Sequence, residues 1–137
     1  MVKKIIKKEE VKKEPVVKKG GKIIIVVDDE ADNRSTVKSV LEKEGYKVVT
    51  AVSGDDCLKK VEAGVKPNLI LMDIMMPGTP VKEIVPKLGK FKIAYLSVVR
   101  MGEAQKEELL KSSNIVAFIQ KPFDIDELVK KVKKLTG

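Results

Sequence analysis

Residues 22–29, Lys22-Ile23-Ile24-Ile25-Val26-Val27-Asp28-Asp29, carry five branched apolar residues straight into two carboxylates. An apolar run of that length with no polar alternation reads as a strand buried on both faces. The pattern recurs down the chain. Leu69-Ile70-Leu71-Met72 ends on Asp73, and Ile93-Ala94-Tyr95-Leu96 ends on Ser97. Ile115-Val116-Ala117-Phe118-Ile119 is followed after one residue by Lys121, and residues 46–51 make a further strand.

Helical patterns separate these runs. Residues 32–44 place Val37, Val40 and Leu41 on one face, with Gly45 as a stop. Ser53-Gly54-Asp55-Asp56 opens a helix through Val61, and Asp124 caps a last helix with Ile125, Leu128, Val129, Val132 and Leu135 on its apolar face. Strands alternating with helices at this spacing predict βαβ units, hence an α/β fold with a five-stranded parallel sheet covered by helices on both faces. Right-handed crossovers then bring every strand's carboxyl end to one rim. Asp28, Asp29, Asp73, Ser97 and Lys121 all fall there, where open parallel sheets hold their active sites.

The composition limits the chemistry. There is no His and one Cys, so a His–Asp triad, a His-ligated zinc and a disulfide framework are ruled out. No apolar run approaches the ~20 residues that span a bilayer, and no signal-peptide centre opens the chain, which leads to the expectation of a cytoplasmic protein. Of the net charge of +8, residues 1–22 carry +6 through nine Lys and three Glu. Residues 1–21 therefore read as a basic Lys/Glu-rich tail, expected to be disordered, and residues 22–137 as one domain. The tail is either a solvated, solubilising segment or a weak electrostatic contact for nucleic acid, anionic lipid or an acidic partner. With no interleaved aromatics it offers no specific nucleic-acid readout.

Three carboxylates in one pocket repel one another, and a divalent cation or a lysine relieves this. An all-oxygen donor set suits a hard cation; magnesium typically shares such sites with phosphate oxygens. A carboxylate can itself become the nucleophile and hold a phosphoryl group. Lys121 offers a fixed cation and Ser97 a hydroxyl donor.

With these motifs in order (Val26-Val27-Asp28-Asp29-Glu30, Leu71-Met72-Asp73-Ile74-Met75-Met76-Pro77-Gly78, Tyr95-Leu96-Ser97, Gln120-Lys121-Pro122-Phe123), the chain resembles the receiver domains of two-component response regulators over residues 22–137. The resemblance implies a doubly wound, flavodoxin-like (βα)5 fold. It implies that Asp73 accepts a phosphoryl group from a sensor histidine kinase. It also implies that Mg2+ is held by Asp29, Asp73 and the backbone carbonyl of Met75, with Asp28 orienting a bound water. Lys121 and Ser97 would stabilise the phosphoryl group, and Ser97 and Phe118 would form the switch that remodels a protein-binding face.

Further expectations follow from the resemblance. Because the chain ends at Gly137, output is expected through a separate downstream protein, from a monomer or a weak phosphorylation-dependent dimer. A role as an intermediate carrier in a phosphorelay is the alternative. A hydrolytic phosphatase is disfavoured because Met75 stands where a second acid would be needed. Met75 and Val99 are both apolar two residues beyond Asp73 and Ser97, so slow self-dephosphorylation is expected. Phe118 lacks a hydroxyl, which leaves an inward ring to packing alone. Thr79-Pro80 opens a third helix with Pro at its first position, and Pro86 predicts that this helix is abbreviated or kinked near Val85. Cys57 reads as an inert buried thiol.

Overall fold

The computed structural model describes residues 21–74, 76–97, 103–121 and 123–137, with Ser97, Gln105 and Lys106 described as backbone only. Readings placed on residues 1–20, on Met75 and Val99, and on the Ser97 side chain lie outside this description.

Eleven segments follow in order: β1 (Ile23–Val27), α1 (Ala31–Lys43), β2 (Lys47–Ala51), α2 (Gly54–Glu62), β3 (Leu69–Asp73), α3 (Val81–Ile84), a 3-10 segment (Val85–Leu88), β4 (Ile93–Ser97), α4 (Glu103–Leu109), β5 (Ile115–Gln120) and α5 (Ile125–Thr136). All four strand pairings are parallel, and the sheet order is β2-β1-β3-β4-β5. The expected doubly wound (βα)5 architecture is therefore present. Strand ends fall within a residue of expectation. Tyr46 precedes β2, while Asp73, Ser97 and Gln120 extend their strands by one residue. The sequence reading did not delimit α4, whose exposed residues carry little apolar periodicity.

Alternating strand residues feed two cores. Ile24, Val26, Leu69, Leu71, Ala94 and Leu96 pack with Val37 and Leu41 of α1 and Leu128 and Val132 of α5. Ile25, Val27, Ile70, Met72, Ile93 and Tyr95 pack with Cys57 of α2 and with Val81, Ile84, Val85 and Leu88. Each such Leu or Ile, buried from water, contributes roughly 1.5–3 kcal/mol. Central strands covered on both sides must be apolar at every position, and β3 is buried throughout.

The third crossover departs from a regular helix where Pro86 falls. The α-helix stops after four residues and continues as 3-10, because proline cannot donate to the preceding turn. Asn114 compensates: its Nδ2 donates to the carbonyls of Val85 (3.2 Å) and Leu88 (3.1 Å). Pro80 stands one place earlier than expected, as the residue before the helix rather than its first member. The expected face of Val81, Ile84, Val85 and Leu88 is buried. In α5, Ile125 is 36% exposed rather than part of the buried face, since it precedes the first turn that reaches the sheet.

Two glycines have local reasons. Gly45 adopts φ 96°, the left-handed turn that releases the chain from α1. At Gly54 a Cβ would stand 3.0 Å from Cγ1 of Ile84, so the start of α2 packs closely on α3.

Candidate functional site

The rim of the sheet is built by the register. Val27 pairs with Met72, Asp73 with Leu96, and Ser97 with Gln120, so the chain leaves β1, β3, β4 and β5 at one level. The β1 exit is a tight turn. The Asp28 amide donates to the Ala51 carbonyl (3.1 Å), carrying the ladder one residue past the strand. Its Oδ1 then accepts from the Glu30 amide (2.9 Å), an Asx turn that feeds α1. The guanidinium of Arg34, from the first turns of α1, donates to the Asp28 carbonyl at 2.7 Å.

Lys121 Nζ, just past β5, reaches across this turn. It donates to Asp28 Oδ2 at 3.1 Å and to Asp73 Oδ2 at 3.3 Å. Asp28 and Asp73 are buried, Asp29 exposed, and one carboxylate oxygen from each of the three lies within 4.8 Å of the others. Burial alone pulls the Lys121 ammonium down, but the hydrogen bond to Asp28 and the charges of Asp73 and Asp28 outweigh it and hold its pKa above the ordinary lysine value. Three carboxylates against one ammonium leave a surplus of negative charge. Oxygen-only donors at that spacing fit a hard divalent cation.

Asp28, Asp29, Asp73 and Lys121 are thus brought together as the sequence places them. Ser97 ends β4 at the same rim. Phe118 is half-buried on β5, its ring edge-on to Tyr95 with centroids 5.5 Å apart and planes at 62°. A cavity of about 370 Å³ adjoins the site between α1 and the β5–α5 connection, lined by Asp28, Lys121, Asn33, Thr36 and Phe123 among others.

The sequence reading missed Arg34 and Tyr95. An Arg six residues after Asp28, on a helix that begins three residues after it, was the available signal for the first. Tyr95 could have been paired with Phe118 only once the β4–β5 register was known.

The family model described as the response regulator receiver domain matches residues 24–133. This chain belongs to that family. Among curated relatives, the alkaline phosphatase synthesis transcriptional regulatory protein PhoP of Bacillus subtilis is 34% identical over 112 residues, 79% of this chain and 45% of the relative. Sporulation initiation phosphotransferase F of the same organism is 32% identical over 109 residues, 78% of this chain and 87% of the relative. The chain spans about half the length of most of the curated relatives it matches first, at 45–47%. Among solved structures, the response regulator TrrA of Thermotoga maritima, in complex with Mg2+ and BeF, is 36% identical with a TM-score of 0.70, covering 83% of this chain and 98% of that one. The chemotaxis protein CheY4 of Vibrio cholerae, at 24% identity and a TM-score of 0.74, shares the fold over 85% of this chain and 99% of its own. Among the described residues no helix is long and apolar enough to cross a membrane.

Proposed function

We propose that residues 22–137 act as a phosphorylatable switch in which Asp73 accepts a phosphoryl group from a sensor histidine kinase. The observation that carries this reading is Lys121 Nζ donating to both Asp28 and Asp73, beside a third carboxylate. Asp73 Oδ attacks the phosphorus of a phosphohistidine; the P–O bond forms as the P–N bond breaks. The electron pair passes to the imidazole nitrogen, which takes a proton from solvent.

Phosphoryl transfer asks little of the protein beyond positioning and charge stabilisation. Lys121 meets the charge developing on the phosphoryl oxygens, and Asp28, fixed by the Glu30 amide and by Arg34, holds its carboxylate in place. Asp29 and Asp73, with the Met75 backbone carbonyl that the family resemblance implies, would hold Mg2+, which would neutralise phosphoryl and carboxylate charge together. Ser97 and Phe118 transmit the new charge to a protein-binding face, and the domain assists its own phosphorylation and dephosphorylation. The output is a downstream protein.

A second reading, an intermediate carrier in a phosphorelay, is favoured by one comparison: the phosphotransferase F relative is matched over 87% of its length. Incubation with acetyl phosphate or phosphoramidate and Mg2+, followed by intact mass, tests the common core of both. One added phosphoryl group is expected, absent without the metal and absent in Asp73→Asn. A modified Asp73→Asn chain would overturn the assignment.

A further inference from the structure

The loops that enter the five parallel strands form the end of the molecule opposite the carboxylate rim, and their charge has the other sign. With the first residue of each strand they carry six lysines, Lys22, Lys47, Lys66, Lys90, Lys92 and Lys111, and one acid, Glu44. The described loops that leave the strands carry Asp28, Asp29, Glu30 and Asp124, with Asp73 closing β3 and Lys121 as the one base.

Some of the lysines at the entering end are engaged. Glu44 pairs with Lys133 of α5 (2.7 Å) and Lys111 with Glu108 (3.2 Å), while Lys22 and Lys92 donate to the last carbonyls of α5. Among the described residues Lys47, Lys66, Lys90 and Lys134 have no ion-pair partner, and all four are exposed. Leu110, 43% exposed, stands beside Lys111 at the same end. The basic segment 1–21 joins the fold there too, because it runs into β1 through Lys22.

We infer that this end of the domain, together with residues 1–21, is a docking surface for an anionic lipid bilayer. Shape is the first reason. Five strand starts side by side span roughly 19 Å, a broad face rather than a single element shaped for a nucleic-acid groove. Composition is the second. Residues 1–22 hold nine Lys, no Arg and no aromatic, and the lysines are interspersed with Val2, Ile5, Ile6, Val11, Val16 and Val17. Lysines among aliphatics suit the boundary between anionic headgroups and acyl chains. Nucleic acid would instead favour arginine forks and rings that stack on bases. Distance is the third. Five-residue strands set the acidic rim roughly 16 Å away, beyond the screening length of about 8 Å at physiological salt, so its charge does not oppose the contact.

The inference does not rest on phosphorylation. It turns Asp73 away from the bilayer, where the rim stays open to a protein partner.

Co-sedimentation of the full chain with lipid vesicles tests it. Binding is expected to vesicles of phosphatidylglycerol and phosphatidylcholine in equal parts, not to phosphatidylcholine alone, and to weaken as salt rises. Lys66→Glu combined with Lys90→Glu is expected to lower the affinity about tenfold or more. Lys38→Glu combined with Lys82→Glu changes the net charge equally at exposed positions on α1 and α3, and is expected to cost about twofold or less. Unfolding midpoints check that each variant is folded; if the reversal disturbs the fold, Lys66→Gln with Lys90→Gln replaces it, with a loss of about threefold. Equal losses in the two pairs, equal binding to neutral vesicles, or release from the anionic vesicles by duplex DNA at matched charge would each overturn the inference.

Discussion

At the scale of single residues, the site is governed by how one ammonium is shared. Lys121 stands between Asp28 and Asp73, with side-chain exposures of 12% for the lysine, 2% for Asp28 and 10% for Asp73. Poor solvation strengthens the attraction and makes either partner costly to leave alone. Lys121→Met is therefore expected to lower the urea midpoint, and Mg2+ to raise that midpoint more in the variant than in wild type, because the ion then relieves carboxylate repulsion unaided. An equal Mg2+ response in both proteins would contradict this. Cys57 gives a prediction of known sign. Burial, reinforced by the charge of Asp56, pushes its thiol from 9.0 up to about 12. The unfolded thiol ionises first, so stability is full below pH 9.0 and declines as pH rises toward 12. Urea midpoints are expected to fall from pH 9.0 upward, and Cys57→Ala to flatten the first part of that fall. In the native protein at pH 8 the thiol should resist alkylation, since almost none is thiolate. Tyr95 and Lys121, also raised, add their losses above 10.0 and 10.5.

At the scale of elements, caps and breaks carry the specificity. Ser53 caps α2 through the Asp56 amide (3.0 Å), and Asp124 caps α5 through the Asp126 amide (3.1 Å). At the far end of α5, Lys22 donates to the Thr136 carbonyl and Lys92 to that of Leu135 (3.0 Å). These are cations placed against the negative end of a helix, from the loops that open β1 and β4. The third crossover shows what a proline costs and how a distant residue offsets it. Asn114→Ala removes both donors to the 3-10 carbonyls and is expected to cost about 1–2 kcal/mol, read as a drop in unfolding midpoint. The helical break itself was legible, because Pro86 forbids the regular turn whatever surrounds it. The donor that repairs it was not, since Asn114 lies 29 residues from Val85 in sequence. Val116 is a similar case. Ile93 pairs with Ile115 but Ala94 with Ala117, so an irregularity in the β4–β5 pairing turns Val116 outward at 39% exposure, in a run that reads as uniformly apolar.

At the scale of the whole molecule, the two cores close over residues 24–132, and the proposed domain begins at Lys22, whose Nζ ties the start of β1 to the end of α5. A chain shortened to residues 22–137 is accordingly expected to keep the full-length unfolding midpoint; a lower one would show that the basic tail belongs to the fold. Retention on immobilised nucleic acid, if the full chain shows any, should vanish with the tail and fall steeply with salt. The sequence by itself determined the alternation of strands and helices, the single rim and the identity of the acids and lysine at it. Those follow from local rules: branched apolar runs bury, crossovers keep one hand, and polar residues end buried strands. Only the tertiary structure decided that Lys121 bridges Asp28 and Asp73, that Arg34 holds the Asp28 carbonyl, and that Tyr95 meets Phe118 edge-on. Each of those depends on register and on distances between segments remote in the chain, and hydrophobic periodicity carries no information about either.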